Sequence, residues 1–319
     1  MPESLRHLAL YLSLSLLLSG CLPVGRFYQP VAGNAEAPAS AVHETIVTIQ
    51  SEGQNVIGTL ALPQQGAAPY PVVLMLHGFT NVRDELPVAG TDEKMYERAA
   101  RVLGEHGMAS LRIDFRGSGD SDGAWADTTF TGQIADALAA LDYLAALPVV
   151  DMERLAVLGF SQGGLVAAQI AARDARVDNV VLWSAVANAP DTYKHILSDA
   201  TVAAGLASGG EPVPVTTMWG AQFELKTGFF EDLYRYDPLA ALAEVDDPLL
   251  VVVGLQDTTV TPQPDYGELY LRYHDGEEAF FTVESDHVFN VLTDPGPQVF
   301  DAVVARTVTW LEDTLLPVE

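Results

Sequence analysis

Residues 43–50 and 56–62 alternate apolar and polar side chains, the period of half-buried strands, and the short gap between them predicts an opening antiparallel pair. Beyond them the pattern changes. Largely apolar runs at 72–76, 109–114, 155–159, 179–183 and 248–254 have the length and character of strands buried on both faces, and a further strand pattern follows at 279–283. Helical spacing falls between these runs: at 93–105, at 130–146 with Ile134, Leu138, Leu141 and Leu144 in phase, and at 165–172. Alternating strand and helix predict a mostly parallel sheet with helices on both faces. From 184 to 238 the alternation lapses into a stretch rich in aromatic, Gly and Pro residues, including Trp219, Phe223, Phe229, Phe230, Tyr234 and Tyr236, which reads as an insertion.

The most informative local pattern is Gly159-Phe160-Ser161-Gln162-Gly163. It lies directly after the 155–159 strand and before a helix. A serine at the apex of such a turn has its hydroxyl pushed clear of the backbone, and the glycines allow close packing on either side. The five-residue pattern alone is weak; its context carries the inference. A serine nucleophile of this kind needs an acid and then a histidine downstream, each just after a strand on the same edge of the sheet. Asp257 follows the 248–254 strand and His287 follows the 279–283 strand, so the chain order is Ser161, Asp257, His287. Asp265 competes for the acid but falls in or near the next helix, and Asp246 and Asp247 precede the strand. His274 lies before the last strand, toward the wrong edge, and His77 comes too early. His43, His106 and His195 read as surface or loop histidines. The strand 72–76 ends in His77-Gly78-Phe79-Thr80, either a plain strand-ending turn or part of a pocket for a developing oxyanion.

Together, His77-Gly78-Phe79-Thr80, Asp114-Phe115-Arg116-Gly117-Ser118-Gly119-Asp120-Ser121, Gly159-Phe160-Ser161-Gln162-Gly163-Gly164 and Asp286-His287 resemble the α/β-hydrolase superfamily, and within it the bacterial feruloyl (cinnamoyl) esterases. The resemblance runs from about residue 42 to the end of the sequence. It implies an α/β-hydrolase fold: a mostly parallel eight-stranded sheet, helices on both faces, and a lid after the sixth strand, here 184–238. It also implies cleavage of small acyl or phenolic-acid esters without a cofactor. Ser161, Asp257 and His287 would be catalytic, and the backbone N–H groups of Phe79 and Gln162 would hold the oxyanion. Trp219 and Phe223 are the lid residues expected to line the pocket. The Gly-rich 116–123 loop lacks the Gly-Lys-Ser/Thr ending of a phosphate-binding loop and reads as a shaped loop near the site. A peptidase of the prolyl-oligopeptidase type shares this catalytic core but usually carries a large amino-terminal propeller, for which there is no room. A surface-anchored binding protein on a hydrolase scaffold is the reading from another class.

The amino-terminal residues carry a separate signal. Arg6 and His7 lead into an apolar core at 8–18, too short and serine-broken for a membrane span, which reads as a signal peptide over 1–20. Leu18-Ser19-Gly20-Cys21 resembles a bacterial lipobox, and Cys21 is the single cysteine of the chain. The expectation is an exported enzyme held at a bacterial membrane by lipid on Cys21, with a Pro/Ala/Gly-rich tether over 21–41 and the hydrolase domain over 42–319. Without a cysteine pair, export brings no disulfides, so stability falls to the core, for which 49% hydrophobic residues suffice. Sixteen Lys and Arg against forty-three Asp and Glu give a net charge of −27, which excludes nucleic acid as a partner. The sequence offers no Cys/His metal cluster and calls for no metal.

Overall fold

The computed structural model describes residues 41–293 and 297–316. The stretch expected to be a signal peptide (1–20), Cys21 as the expected lipidation site, and the expected tether up to residue 40 lie outside the described residues. The two alternating stretches form β1 (Val42–Ser51) and β2 (Gln54–Pro63), paired antiparallel along their length. Two residues join them, Glu52 and Gly53, with φ of 48° and 82°. This backbone is that of a two-residue hairpin whose twist suits the flanking strands.

The apolar runs become β3 (Tyr70–Leu76), β4 (Ala109–Ile113), β5 (Val150–Phe160) and β6 (Asn179–Trp183). A separate small hairpin follows, β7 (Val213–Thr216) and β8 (Gln222–Leu225), then β9 (Leu249–Gly254) and β10 (Glu278–Val283). Eight strands make the main sheet in the order β1-β2-β4-β3-β5-β6-β9-β10. β2 meets β4 antiparallel, and every pairing from β4 across to β10 is parallel.

The helices are α1 (Met95–Glu105), α2 (Phe130–Ala145), α3 (Gln162–Ala171), α4 (Ala189–Leu197), α5 (Asp199–Ala207), α6 (Thr227–Arg235), α7 (Pro238–Leu242), α8 (Asp265–Tyr273) and α9 (Gln298–Leu315). The period of two along a strand divides its apolar run between two cores. Val73 and Met75 of β3 pack with Leu158 and Val252 under Tyr96 of α1 and Trp310 of α9. Leu74 and Leu76 turn to the other face, where α2, α3, α7 and α8 bring Ile134, Val166, Leu242 and Tyr270. Helices therefore cover both faces, which is why the central strands read as continuous apolar runs rather than alternating ones.

β5 begins at Val150 rather than at 155, and two helix starts differ from the sequence expectation. The helix placed at 93–105 begins at Met95, because the Glu93 carboxylate is taken by Arg98 and Arg101 while the Lys94 N–H is capped by Glu97. The helix placed at 165–172 begins at Gln162, because the turn at Ser161 delivers the chain straight into helical geometry. The insertion between β6 and β9 holds α4, α5, the β7–β8 hairpin and α6. Tyr193, Val215, Leu225, Phe229 and Phe230 make its own core with Phe79 and Phe130.

Candidate active site

Because β3, β5, β9 and β10 run parallel, their carboxyl ends share one edge of the sheet, where open α/β sheets bind their ligands. Ser161 follows β5 with φ 53° and ψ −114°, a backbone that non-glycine residues rarely hold. The neighbouring glycines make this turn sterically possible. A Cβ on Gly163 would lie 2.0 Å from the Leu76 carbonyl oxygen, and one on Gly159 would lie 2.2 Å from that of Gly163. Both obstacles are backbone. Gly163→Ala is therefore expected to lower folding stability by about 3 kcal/mol, the upper part of the range for overpacking, read as a lower urea midpoint at unchanged slope.

His287 Nε2 lies 3.0 Å from Ser161 Oγ, and His287 Nδ1 lies 2.7 Å from Asp257 Oδ2. Asp257 is fixed at its other oxygen, which accepts the N–H groups of Thr259 (2.7 Å) and Val260 (2.9 Å). A carboxylate facing Nδ1 places the imidazole proton there and leaves Nε2 free to accept from the serine hydroxyl. The turn carrying His287 is closed by Asp286, whose Oδ1 accepts the N–H groups of Val288 and Asn290. Phe160 lies against the imidazole, with ring centres 5.1 Å apart.

The rival residues stand elsewhere. Asp265 opens α8, and Asp246 and Asp247 precede β9 at the opposite edge, where the Asp247 carbonyl accepts from His274 Nε2 at 2.9 Å. His77 is buried, its Nδ1 donating to the Gly78 carbonyl and its Nε2 accepting the Phe115 N–H. Burial lowers its pKa, so it is a neutral strut between β3 and the loop after β4. His106 contacts Glu312, and His195 donates to the Thr258 carbonyl, tying α4 to the loop that carries Asp257.

Gln162 is the first residue of α3, so its N–H has no intrahelical acceptor and sits at the positive end of the helix. Phe79 lies just beyond β3. Among the described residues neither N–H meets a protein acceptor. The Gln162 side chain is held on both sides: Nε2 donates to Gln133 Oε1 at 2.8 Å, and Oε1 accepts from the Tyr193 hydroxyl. Sequence reasoning missed Gln133 and Tyr193, since one reads as a polar helix residue and the other as an insertion aromatic.

A cavity of about 350 Å³ opens over Ser161 and His287. Phe79, Trp219, Ile196 and Leu292 supply apolar wall, with Thr80, Asn81 and Asp286 as polar lining. Trp219 stands on this wall, half exposed at the rim. Phe223 does not line it. Its ring packs edge-on against Phe79 and Trp125, each 5.6 Å away, one layer behind the wall. The reason is strand alternation: Phe223 and Leu225 of β8 face the insertion core, leaving Gln222 and Glu224 outside.

A sheet of this order, a tight strand–serine–helix turn, and an acid and a histidine delivered by β9 and β10 together define one architecture. The chain has the α/β-hydrolase fold. A family model described as alpha/beta hydrolase fold matches residues 71–208. Among solved structures, Est1E from Butyrivibrio proteoclasticus with bound ferulic acid superposes with a TM-score of 0.69 at 20% identity, covering 85% of this chain and all of that one. The esterase domain of a Rhodothermus marinus protein gives 0.62 at 20% identity, over 86% of this chain and 99% of the domain. By sequence, esterase FrsA of Yersinia pestis is 33% identical over 121 residues, 38% of this chain and 26% of that protein. A 31.7 kDa Escherichia coli protein encoded between traX and finO is 23% identical over 247 residues, covering 68% and 82% of the two chains. In the hydrolase fold of this chain the Ser–His–Asp set lies at the same sheet edge as the cavity.

Proposed function

We propose that the protein is a serine carboxylic ester hydrolase working through an acyl-enzyme on Ser161. The observation that carries this reading is the unbroken hydrogen-bonded chain from Ser161 Oγ through His287 to Asp257, at 3.0 and 2.7 Å. His287 takes the hydroxyl proton as Ser161 attacks the ester carbonyl, then returns it to the leaving alcohol; water repeats the sequence on the acyl-enzyme. Asp257 orients the imidazole and stabilises its cationic form. The negative oxygen of each tetrahedral intermediate is received by the N–H groups of Phe79 and Gln162.

The walls of the cavity narrow the substrate class. Among the described residues its lining includes no Lys or Arg and one carboxylate, Asp286, and the whole chain carries a net charge of −27. Such a site favours uncharged esters with a small acyl or aryl group, and a feruloyl-type ester is supported by the likeness to Est1E. The 184–238 insertion serves as the lid over this cavity. Lipid on Cys21 would hold the enzyme at a bacterial membrane, facing the periplasm or the exterior, with the tether 21–41 as spacer.

The test is a substrate series at low ionic strength: p-nitrophenyl acetate and butyrate, methyl ferulate, and a hemisuccinate ester bearing a free carboxylate. We expect kcat/KM for the anionic ester to fall about tenfold or more below that of the neutral butyrate, and the gap to narrow in molar salt as the field is screened. Methyl ferulate untouched while acetate and butyrate turn over would remove the feruloyl assignment. Equal rates on charged and neutral esters would remove the charge argument. A folded protein that cleaves none of them would sink the esterase reading.

A further inference from the structure

The loop from His77 to Glu85 supplies one of the two oxyanion donors, and one buried group in it has no part in the mechanism so far. Glu85 is 4% exposed and uses both of its oxygens inside its own loop. Oε1 accepts the Gly78 N–H, and Oε2 meets the Asn81 amide at 2.5 Å. Thr80 and Glu85 both hold positive φ, 67° and 64°, so the loop takes a strained path that its surroundings must enforce.

The consequence follows from the planarity of the peptide group. The Gly78 carbonyl and the Phe79 N–H are opposite ends of one peptide plane, so a partner on the carbonyl sets where the N–H points. That carbonyl accepts from His77 Nδ1 at 2.9 Å and from the Asn81 N–H at 3.3 Å. Glu85 fixes the preceding peptide plane through the Gly78 N–H, and it fixes Asn81 through the side-chain amide. Two successive planes are thereby locked, which fixes the direction of the Phe79 N–H, and Phe79, Asn81 and Ser161 line the same cavity.

We propose that Glu85 is a positioning residue for the oxyanion hole: its buried carboxyl holds the 78–81 turn so that the Phe79 N–H faces the oxygen that becomes negative. This rests on the esterase reading above. Burial raises the Glu85 pKa to about 8, opposed by its bonds to Gly78 and Asn81. Near neutral pH the group is therefore protonated, and the neutral acid keeps both contacts by donating from Oε2 to the Asn81 carbonyl with that amide turned over. The titratable side chain that its charge reaches from another element is Tyr96 of α1, whose phenol donates to the Leu76 carbonyl and is pushed up by burial and by Glu85. The cations nearby in sequence and on β4 are engaged elsewhere, Arg83 by Asp114 and Asp120, and Arg112 by Glu44 and Asp84. β5 contributes Phe160, which does not titrate. Below about pH 8 Glu85 adds no negative charge beside the turn, and above it its carboxylate next to the oxyanion donor opposes the developing charge.

The experiment compares kcat and KM for p-nitrophenyl butyrate from pH 6 to 9.5 in the parent, Glu85→Ala, Glu85→Gln and Asn81→Ala. Glu85→Ala is expected to lose about 10- to 100-fold in kcat at pH 7 with KM within about threefold, as when a donor is misplaced rather than removed. Glu85→Gln keeps an acceptor for Gly78 and a donor for Asn81, and recovers most of the lost kcat. The parent kcat declines above about pH 8, and Glu85→Gln loses that decline. Asn81→Ala, which leaves the Gly78 bond intact, shows a smaller drop and serves if Glu85→Ala does not fold. An active parent whose kcat is unmoved by Glu85→Ala or Asn81→Ala, or whose alkaline decline persists in Glu85→Gln, overturns the proposal alone. A folded parent inactive on every ester overturns the esterase reading, and the proposal with it.

Discussion

Ser161→Ala is expected to lower kcat for p-nitrophenyl butyrate by about 10⁵- to 10⁶-fold while leaving KM within severalfold, in line with removal of a nucleophile whose partners act as one unit. Ser161 is 6% exposed and its hydroxyl meets one titratable partner, His287, so alanine deletes the attacking atom without opening a cavity or stranding a buried charge. The backbone at φ 53° is no harder for alanine than for serine, so folding should be preserved. Circular dichroism and the urea midpoint check that expectation. A variant that retained even a hundredth of the parent rate would show that Ser161 is not the nucleophile.

Asp257→Asn carries the second-largest expected effect, about 10⁴-fold in kcat. Asp257 Oδ1 is held by two backbone N–H groups, so an asparagine keeps its own Oδ1 there and turns Nδ2 toward His287. An amide N–H facing Nδ1 requires that nitrogen to accept, which moves the imidazole proton to Nε2. The base then faces the serine as a donor and cannot take its proton. Asp257→Ala removes the orienting group but imposes no wrong tautomer, and it also frees the Thr259 and Val260 N–H groups. It is therefore expected to lose stability as well as rate, whereas Asp257→Asn loses rate alone. The two variants, compared by kcat and by urea midpoint, separate orientation from folding.

Much of the main sheet was legible because buried parallel strands leave continuous apolar runs, and 72–76, 179–183 and 248–254 have few other ways to fold. The order Ser161, Asp257, His287 was legible for a related reason: the first two follow such runs and His287 follows the half-exposed edge strand β10, and parallel strands deliver their carboxyl ends to one edge. The structure brings these three side chains into hydrogen-bond contact. Helix starts were read less well. α1 and α3 begin where side-chain caps and a strained turn place them, and neither leaves a periodic trace.

The insertion was the least legible part, because its short hairpin and helices pack against each other rather than on a regular sheet. Trp219 and Phe223 look equivalent in the sequence, yet one sits in the hairpin turn at the cavity and the other on β8 facing inward. Glu85 was hidden by its neighbours. Arg83-Asp84-Glu85 are three charged residues in a row, and only the fold shows that Arg83 and Asp84 turn to ion pairs while Glu85 turns inward.

The most direct test of the account is to trap the acyl-enzyme. The protein beginning after Cys21 would be treated with a fluorophosphonate or a slowly deacylating aryl ester, and its intact mass and proteolytic peptides measured beside Ser161→Ala. The account predicts one adduct per chain, on the peptide containing Ser161, and none on the variant. A folded parent that takes no adduct, or one that carries it on another residue, would contradict it.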